Sequence, residues 1–286
     1  MSLSSYWNSN PSTSTAPLPN DWSAADGTIV LAMDRYRLLK FLPTRGNVAE
    51  IGVARGRFSR LITWHTRPEL LALVDPWIHQ SQLHETNSHN VGQQFQDRRH
   101  KLVSAMFKVI GPLFRTKVEI VRDYSVPAAT KFADETFDWV YIDGDHSYSA
   151  VRDDLASWVP KLKRDGFILG HDFARHTGAL TGEYGVVEAV RDFLAEHPEF
   201  RLIATTNEHF PTFVIARHEG NQNLRQFLTQ LCARETYLVR VPTESLWDFS
   251  QTLLKSSKTR RASLIDCAVK TPVDYIPSAS RESRAA

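Results

Sequence analysis

Eight consecutive residues, Tyr141-Ile142-Asp143-Gly144-Asp145-His146-Ser147-Tyr148, set two carboxylates and an imidazole within one short stretch. The apolar run Phe137 to Ile142 leads into them and a helical pattern, Ser149 to Leu162, follows, so they belong to a strand-to-helix turn. Acids crowded on such a turn repel one another and are costly to bury unless a cation or ligand compensates them. A second group, Gly170-His171-Asp172-Phe173, closes the next apolar run, Phe167 to Gly170. Neighbouring parallel strands lie ~4.8 Å apart, so Asp143 and Asp172 are expected to face one another across one crevice. Two hard oxygen ligands with room for water and substrate oxygens suit Mg²⁺. His146, three residues after Asp143, is near enough to take a proton from a bound substrate. The plainer reading is that these residues cap the helices that follow.

Three earlier strand ends carry polar groups too. Glu50-Ile51-Gly52-Val53-Ala54-Arg55-Gly56 follows a short apolar strand. Glycine at such a bend lets backbone approach a ligand, and Gly56 opens a helix whose first amides favour negative charge. The G-x-x-x-G spacing differs from the G-x-G-x-x-G of dinucleotide binders, which counts against NAD. Glu50 would repel a pyrophosphate but neutralise a cationic ligand. Asp75 closes the strand Leu70 to Val74, where an acid can accept both hydroxyls of a ribose or cap the turn before Pro76. Ser125, after the strand Lys117 to Val121, either borders the same crevice or caps the next helix.

The elements that must hold these groups alternate between strand and helix. Helical patterns cover Phe58 to His65, Val91 to Ile110 (stopped by Gly111-Pro112) and Val186 to Leu194. Strands Phe200 to Thr205 and Thr212 to Ala216 are joined only by Thr206 to Pro211, which demands an antiparallel hairpin. The expectation is an α/β, Rossmann-like, doubly wound fold: a seven-stranded sheet, mostly parallel with a C-terminal antiparallel hairpin and helices on both faces. In such sheets ligands bind at the carboxyl ends of the strands. Residues 1–23, rich in Ser, Thr and Pro, read as a flexible arm. Residues 24–219 form the main domain, opening with a helical spacing from Ala24 to Leu42. Residues 220–286 form a C-terminal helical appendage, with Leu224 to Cys232 and Ser245 to Leu254 helical in pattern and Tyr237 to Val241 strand-like. A basic stretch, Lys255 to Arg261, and a loose tail complete it.

Lys and Arg number 34 against 32 Asp and Glu, and 42% of residues are hydrophobic. That composition excludes a wholly disordered chain, and so mild a net charge gives no reason to expect a nucleic-acid partner. No apolar run approaches the ~18–20 residues of a membrane span, and residues 1–20 lack the basic and apolar blocks of a secretory signal. Cys232 and Cys267 sit in no metal-ligand spacing, so a cytoplasmic compartment without disulfides is expected.

With these pieces placed, the sequence resembles class I S-adenosylmethionine-dependent methyltransferases. It is similar to the branch in which I-D-G-D-H-S-Y is followed by paired acids, here Asp153-Asp154-Leu155, and then by G-x-x-x-G-H-D, here Gly166 to Asp172. The resemblance runs from about Val48 to Ala216. It implies S-adenosylmethionine as cofactor, with Glu50, Gly52 and Gly56 around the methionine part, Asp75 on the ribose, Ser125 near the adenine and Asp143 beside the same cofactor. Likeness to metal-dependent macrolide-sugar and catechol O-methyltransferases implies metal ligation by Asp143 and Asp172 and a general base at His146. The sugar enzymes have Glu where this chain has His171, and the catechol enzymes have Asn where it has Phe173. Imidazole is a poorer Mg²⁺ ligand than carboxylate, so His171 is expected either as a third ligand or behind the ligands, and the site to take Mg²⁺, Mn²⁺ or no metal. The implied activity is methyl transfer to a hydroxyl of a small-molecule acceptor (a sugar, natural product or diol), without nucleic acid or membrane, in a chain whose appendage allows a homodimer. The alternatives are a fold relative with altered chemistry, as in cephalosporin hydroxylation clusters, and a non-catalytic S-adenosylmethionine-binding partner protein.

Overall fold

The computed structural model describes residues 27–79, 91–176, 184–234, 237–247, 250–254, 262–265 and 274–277. The elements in order are β1 (Thr28–Leu31), α1 (Arg35–Leu38), β2 (Asn47–Ile51), α2 (Arg57–Thr66), β3 (Leu70–Val74), α3 (Gln93–Phe114), β4 (Lys117–Val121), α4 (Ser125–Ala129), β5 (Phe137–Ile142), α5 (Tyr148–Trp158) and β6 (Leu162–Gly170). They continue with β7 (Arg175–His176), α6 (Val186–Glu196), β8 (Phe200–Thr206), β9 (Phe213–Arg217), α7 (Gln222–Arg234), β10 (Tyr237–Val241), β11 (Ser250–Leu254), β12 (Ala262–Ile265) and β13 (Asp274–Pro277).

The main sheet runs β13-β10-β1-β8-β9-β6-β5-β2-β3-β4. Its β4-β3-β2-β5-β6 half is parallel throughout, and β9 enters antiparallel between β6 and β8. The central strands are near-continuous apolar runs because helices cover both faces. Along β5 the side chains alternate, as a pleated strand requires. Val140 and Ile142 join the core with Val151, Leu155 and Trp158 of α5. Trp139 and Tyr141 join the opposite core with Phe58 of α2 and Phe107 of α3. Among the described residues no helix is long and apolar enough to cross a membrane.

The doubly wound α/β fold expected from the sequence is present, but the sheet has ten strands where seven were expected. All seven are there; β1, β10 and β13 extend the sheet beyond β8. The helical spacing from Ala24 to Leu42 is helical only in its second half, in α1 and a 3-10 turn, Leu39–Phe41; its first half contains β1, whose Thr28, Ile29 and Val30 are β-branched and buried. Pairing with β8 on one side and β10 on the other satisfies backbone groups that an edge would leave open, and this outweighs a weak periodicity. The helical pattern at Ser245 to Leu254 is likewise replaced by one 3-10 turn, Thr243–Leu246, and strand β11. Residues 220–286, expected to be a helical appendage, carry a single α-helix and four strands among those described, and β10 and β13 belong to the main sheet. Helix α3 runs past Gly111-Pro112 to Phe114, with Pro112 inside its last turn. The arm at residues 1–23 and the basic stretch Lys255 to Arg261 lie outside the described residues.

Backbone pairing continues beyond the strand ends into the crevice. Asp143 N–H donates to the Ile51 carbonyl (2.8 Å), His171 N–H to that of Ile142 (2.9 Å), and Gly52 N–H to that of Val74 (2.9 Å). Gly52 itself has φ +92°, and a β-carbon there would stand 1.9 Å from the Asp143 carbonyl oxygen. Behind the β5 turn, Asp154 of α5 is buried and shares a hydrogen bond with Ser125. The Ser125 hydroxyl also accepts from the Trp158 indole at 2.9 Å. Burial pushes the Asp154 carboxyl up to about 7, with Ser125 opposing and Asp145 and Asp153 adding to the shift.

Two outcomes follow from these contacts. Gly52→Ala should cost about 3 kcal/mol or more in a denaturant melt, because both the φ angle and the space exclude a methyl group; an unchanged midpoint would contradict the stated packing. Asp154 holds its proton more tightly folded than unfolded, so wild-type stability should fall as pH rises from about 4 through about 7. Asp154→Asn lacks that loss, and its melting temperature should gain on wild type by several degrees between about pH 5 and pH 8. A pH-independent difference would contradict the buried acid.

Candidate active site

The polar groups gather at the carboxyl ends of β2, β5 and β6. Asp143 is the first residue after β5; His171 and Asp172 are the first two after β6. Asp172 is buried with φ 60°, a strained conformation for a residue with a side chain. His171 lies between the two acids, its Nδ1 3.1 Å from Asp172 Oδ2 and 3.5 Å from Asp143 Oδ1. Burial works against its charge, but Asp143 and Asp172 outweigh it and push the imidazole up to about 9. It is therefore protonated at neutral pH.

His146 meets the same acid from the β5 turn, with Nδ1 3.2 Å from Asp172 Oδ2. A proton on Nδ1 held by a carboxylate leaves Nε2 as the acceptor, the division of labour a general base needs. The ring stacks on Tyr184, with centroids 5.1 Å apart and planes 11° apart. Gly185 N–H donates to the His146 carbonyl at 2.9 Å, which ties the start of α6 to this turn. Burial, with Asp172 and Asp143 adding to it, pushes the Tyr184 phenol up to about 12.

Arg35, the first residue of α1, completes the cluster and had no local sequence signature. Its Nη1 donates to Asp143 Oδ2 and to the Tyr141 hydroxyl, both at 2.9 Å. The guanidinium lies 5.1 Å from the Phe58 ring centroid, and Phe58 packs against Tyr141 at 4.4 Å. Glu208, in the β8–β9 connection, accepts the Arg35 backbone N–H at 2.8 Å and the Thr206 hydroxyl at 2.7 Å.

These contacts decide whether a divalent cation fits. Asp143, His146 and Asp172 each offer one ligand atom, and the three atoms lie within 4.8 Å of one another. Mg²⁺ demands close octahedral oxygen ligands. Here Asp143 turns one oxygen to Arg35 and the other to His171, and Asp172 Oδ2 is shared by both imidazoles. A guanidinium cannot give up its proton, and a protonated imidazole cannot ligate. The donor set as arranged does not fit the cation, and of the two places expected for His171, as a third ligand or behind the ligands, its Nδ1 contacts to both acids correspond to the second.

The other half of the crevice is built on β2 and β3. Glu50 is 1% exposed, and its Oε2 has no hydrogen-bond partner. Burial pushes this carboxyl up to about 8, with Ser59 opposing and Asp143 adding to the shift. A buried acid with an unmet oxygen is a ready partner for a cation. The loop that follows it bends through positive φ at Gly52, Ala54 and Gly56. At Gly56 a β-carbon would stand 2.7 Å from Met106 of α3. Asp75 fastens this loop: its Oδ2 accepts Val53 N–H (3.0 Å) and Ala54 N–H (2.8 Å), and its Oδ1 accepts Trp77 N–H (2.7 Å). Three of a carboxylate's roughly four acceptor positions are thereby used, leaving one for a hydroxyl.

Beyond Asp75 a pocket of about 260 Å³ is lined by Pro76, Ile78, Gln93, Arg122, Asp123 and Tyr124. Ser125, expected near an adenine, turns its hydroxyl to Trp158 and Asp154 instead, and Tyr124 rather than Ser125 caps α4. The segments expected to border the acceptor, His79 to His89 and Ala174 to Tyr184, lie largely outside the described residues.

Residues 49–173 match a family model described as a methyltransferase domain. No curated protein matches the chain. Among solved structures it is similar to a protein in the NADB-Rossmann superfamily from Streptococcus agalactiae, with 10% identity, 72% of this chain and 79% of that chain covered, and TM-score 0.43. It is also similar to an rRNA methylase from Streptococcus thermophilus (7% identity, 64% and 93% covered, TM-score 0.43) and to spermidine synthase from Thermotoga maritima (15%, 70% and 62%, 0.41). The segment that matches the methyltransferase domain, from β2 to the turn after β6, is the one that carries Glu50, Asp143, His146 and Asp172.

Proposed function

We propose that the chain is an S-adenosylmethionine-dependent methyltransferase that acts on a hydroxyl of a small molecule such as a sugar, natural product or diol. The observation that carries this reading is the His146–Asp172 pair and the buried Glu50 carboxyl, whose Oε2 has no hydrogen-bond partner, on one methyltransferase-domain segment. Glu50 would hold the cofactor's ammonium, Gly52 and Gly56 would let its methionine part approach the loop, and Asp75 would keep one acceptor position for a ribose hydroxyl. The pocket lined by Pro76 and Tyr124 would take the flat base. When bound, the cofactor supplies a methyl group on a positively charged sulfur, which is already a good electrophile.

The protein's share is alignment and proton removal. His146 Nε2 takes the acceptor's hydroxyl proton while Asp172 steadies the charge that forms on the ring. As the new O–CH₃ bond forms, the S–CH₃ bond breaks; the products are a methyl ether, S-adenosylhomocysteine and a proton on His146. An imidazole is a better base for this task at neutral pH than a carboxylate. Alignment of this kind is worth ~7–11 kcal/mol, and a positioned base adds roughly 10²–10⁴-fold. Tyr184, stacked on His146, and Phe210, which faces both Tyr184 and His171, line one side of the base.

Calorimetric titration with S-adenosylhomocysteine should show saturable binding to wild type and binding weakened about tenfold or more in Glu50→Gln. His146→Ala should bind within about twofold of wild type while turnover drops roughly 10²–10⁴-fold. No binding to wild type would end the methyltransferase reading. Full turnover in His146→Ala would end the base assignment, and binding without turnover on any hydroxylated acceptor would leave a non-catalytic partner protein.

A further inference from the structure

We infer that Arg35 is the resident counter-cation of the acid pair, a positioning residue that stands at Asp143 in place of a divalent metal. The inference deepens the proposed site, but its geometry holds without the methyltransferase reading. Arg35 comes from α1, outside the segment that matches the methyltransferase domain. Its position is fixed from several sides. Asp34 caps the helix by accepting Arg37 N–H at 2.9 Å. Glu208 takes the Arg35 backbone N–H, and Tyr141 takes the guanidinium beside its contact with Asp143. Phe58 and Tyr36 pack against the guanidinium at 5.1 and 5.5 Å.

A guanidinium held this way keeps its charge at every accessible pH. It occupies one Asp143 oxygen, while His171 Nδ1 faces the other. A divalent cation at these acids would need the same oxygens and would sit against a like charge. Asp143 is therefore an anchor within an ion-paired wall, and Asp172 faces the Nδ1 atoms of both His146 and His171. The consequence reaches the acceptor. Metal-assisted transfer favours acceptors with two adjacent oxygens that chelate the ion, whereas here one hydroxyl within reach of His146 Nε2 suffices.

The test uses the full chain without cofactor, titrated with Mn²⁺ and read by electron paramagnetic resonance. Wild type and Arg35→Lys should bind no Mn²⁺ at this site up to millimolar metal. Arg35→Met, checked for folding by circular dichroism, should gain at least about tenfold in Mn²⁺ affinity, and adding Asp143→Asn should abolish the gain. Tight Mn²⁺ binding by wild type that is lost in Asp143→Asn would overturn the inference. So would a folded Arg35→Met with no gain. If Arg35→Met does not fold, the wild-type and Asp143→Asn titrations alone decide the matter. The nucleoside titration is independent of these measurements, so failure of one reading is distinguishable from failure of the other.

Discussion

The carbonyl of Asp143 stands where a β-carbon at position 52 would be, and most of the site's geometry depends on that contact. It sets the loop after β2 directly against the turn after β5. The Glu50 carboxyl and the Asp143 carboxyl are thereby held within electrostatic reach of one another, as the upward push of Asp143 on Glu50 records. Any ligand that satisfies Glu50 also changes the field at Asp143. A methyl group at position 52 would separate the two halves of the crevice before it disturbed any side chain.

Around that contact the molecule concentrates acids and then compensates them. Asp143 is paired with Arg35, Asp172 with two imidazoles, and Asp75 with three backbone amides. Of these four acids, Glu50 is the one with an unmet oxygen. Uneven compensation of this kind is informative, because a buried polar atom without a partner is rare in a folded protein. The backbone shows the same concentration: Ala54, Trp77, Asp172 and Phe210 all adopt positive φ around the crevice. Conformations of that sort persist where the surrounding structure enforces them.

Much of this was legible in the sequence because it is local. The seven central strands follow from apolar runs, and the crowding of Asp143, Asp145 and His146 follows from their spacing on one turn. Strand β1 was not legible, since only pairing with β8 and β10, far along the chain, makes Thr28–Leu31 a strand. Arg35 was hidden for the same reason, being 108 positions from Asp143. Ser125 stands at its expected place in the chain, but its hydroxyl is taken by Trp158 from the next helix. His171 reads in its motif as either a third ligand or a group behind the ligands, and only its Nδ1 distances to two acids favour the second. Spacing along a chain reports which residues share a turn. It does not report which cation reaches them from another element.

The place of β1 in the sheet also bears on how the chain is made. Ile29 lies opposite Ala204 of β8 and Arg240 of β10, so β1 finds its neighbours only after about 170 or more further residues have been made. At 5–20 residues per second, the interval between synthesis of β1 and of β8 is roughly ten to thirty seconds. Arg35 is carried by the segment that waits. In the folded chain the acidic turns thus owe part of their counter-charge to a segment held in the sheet by strands made much later.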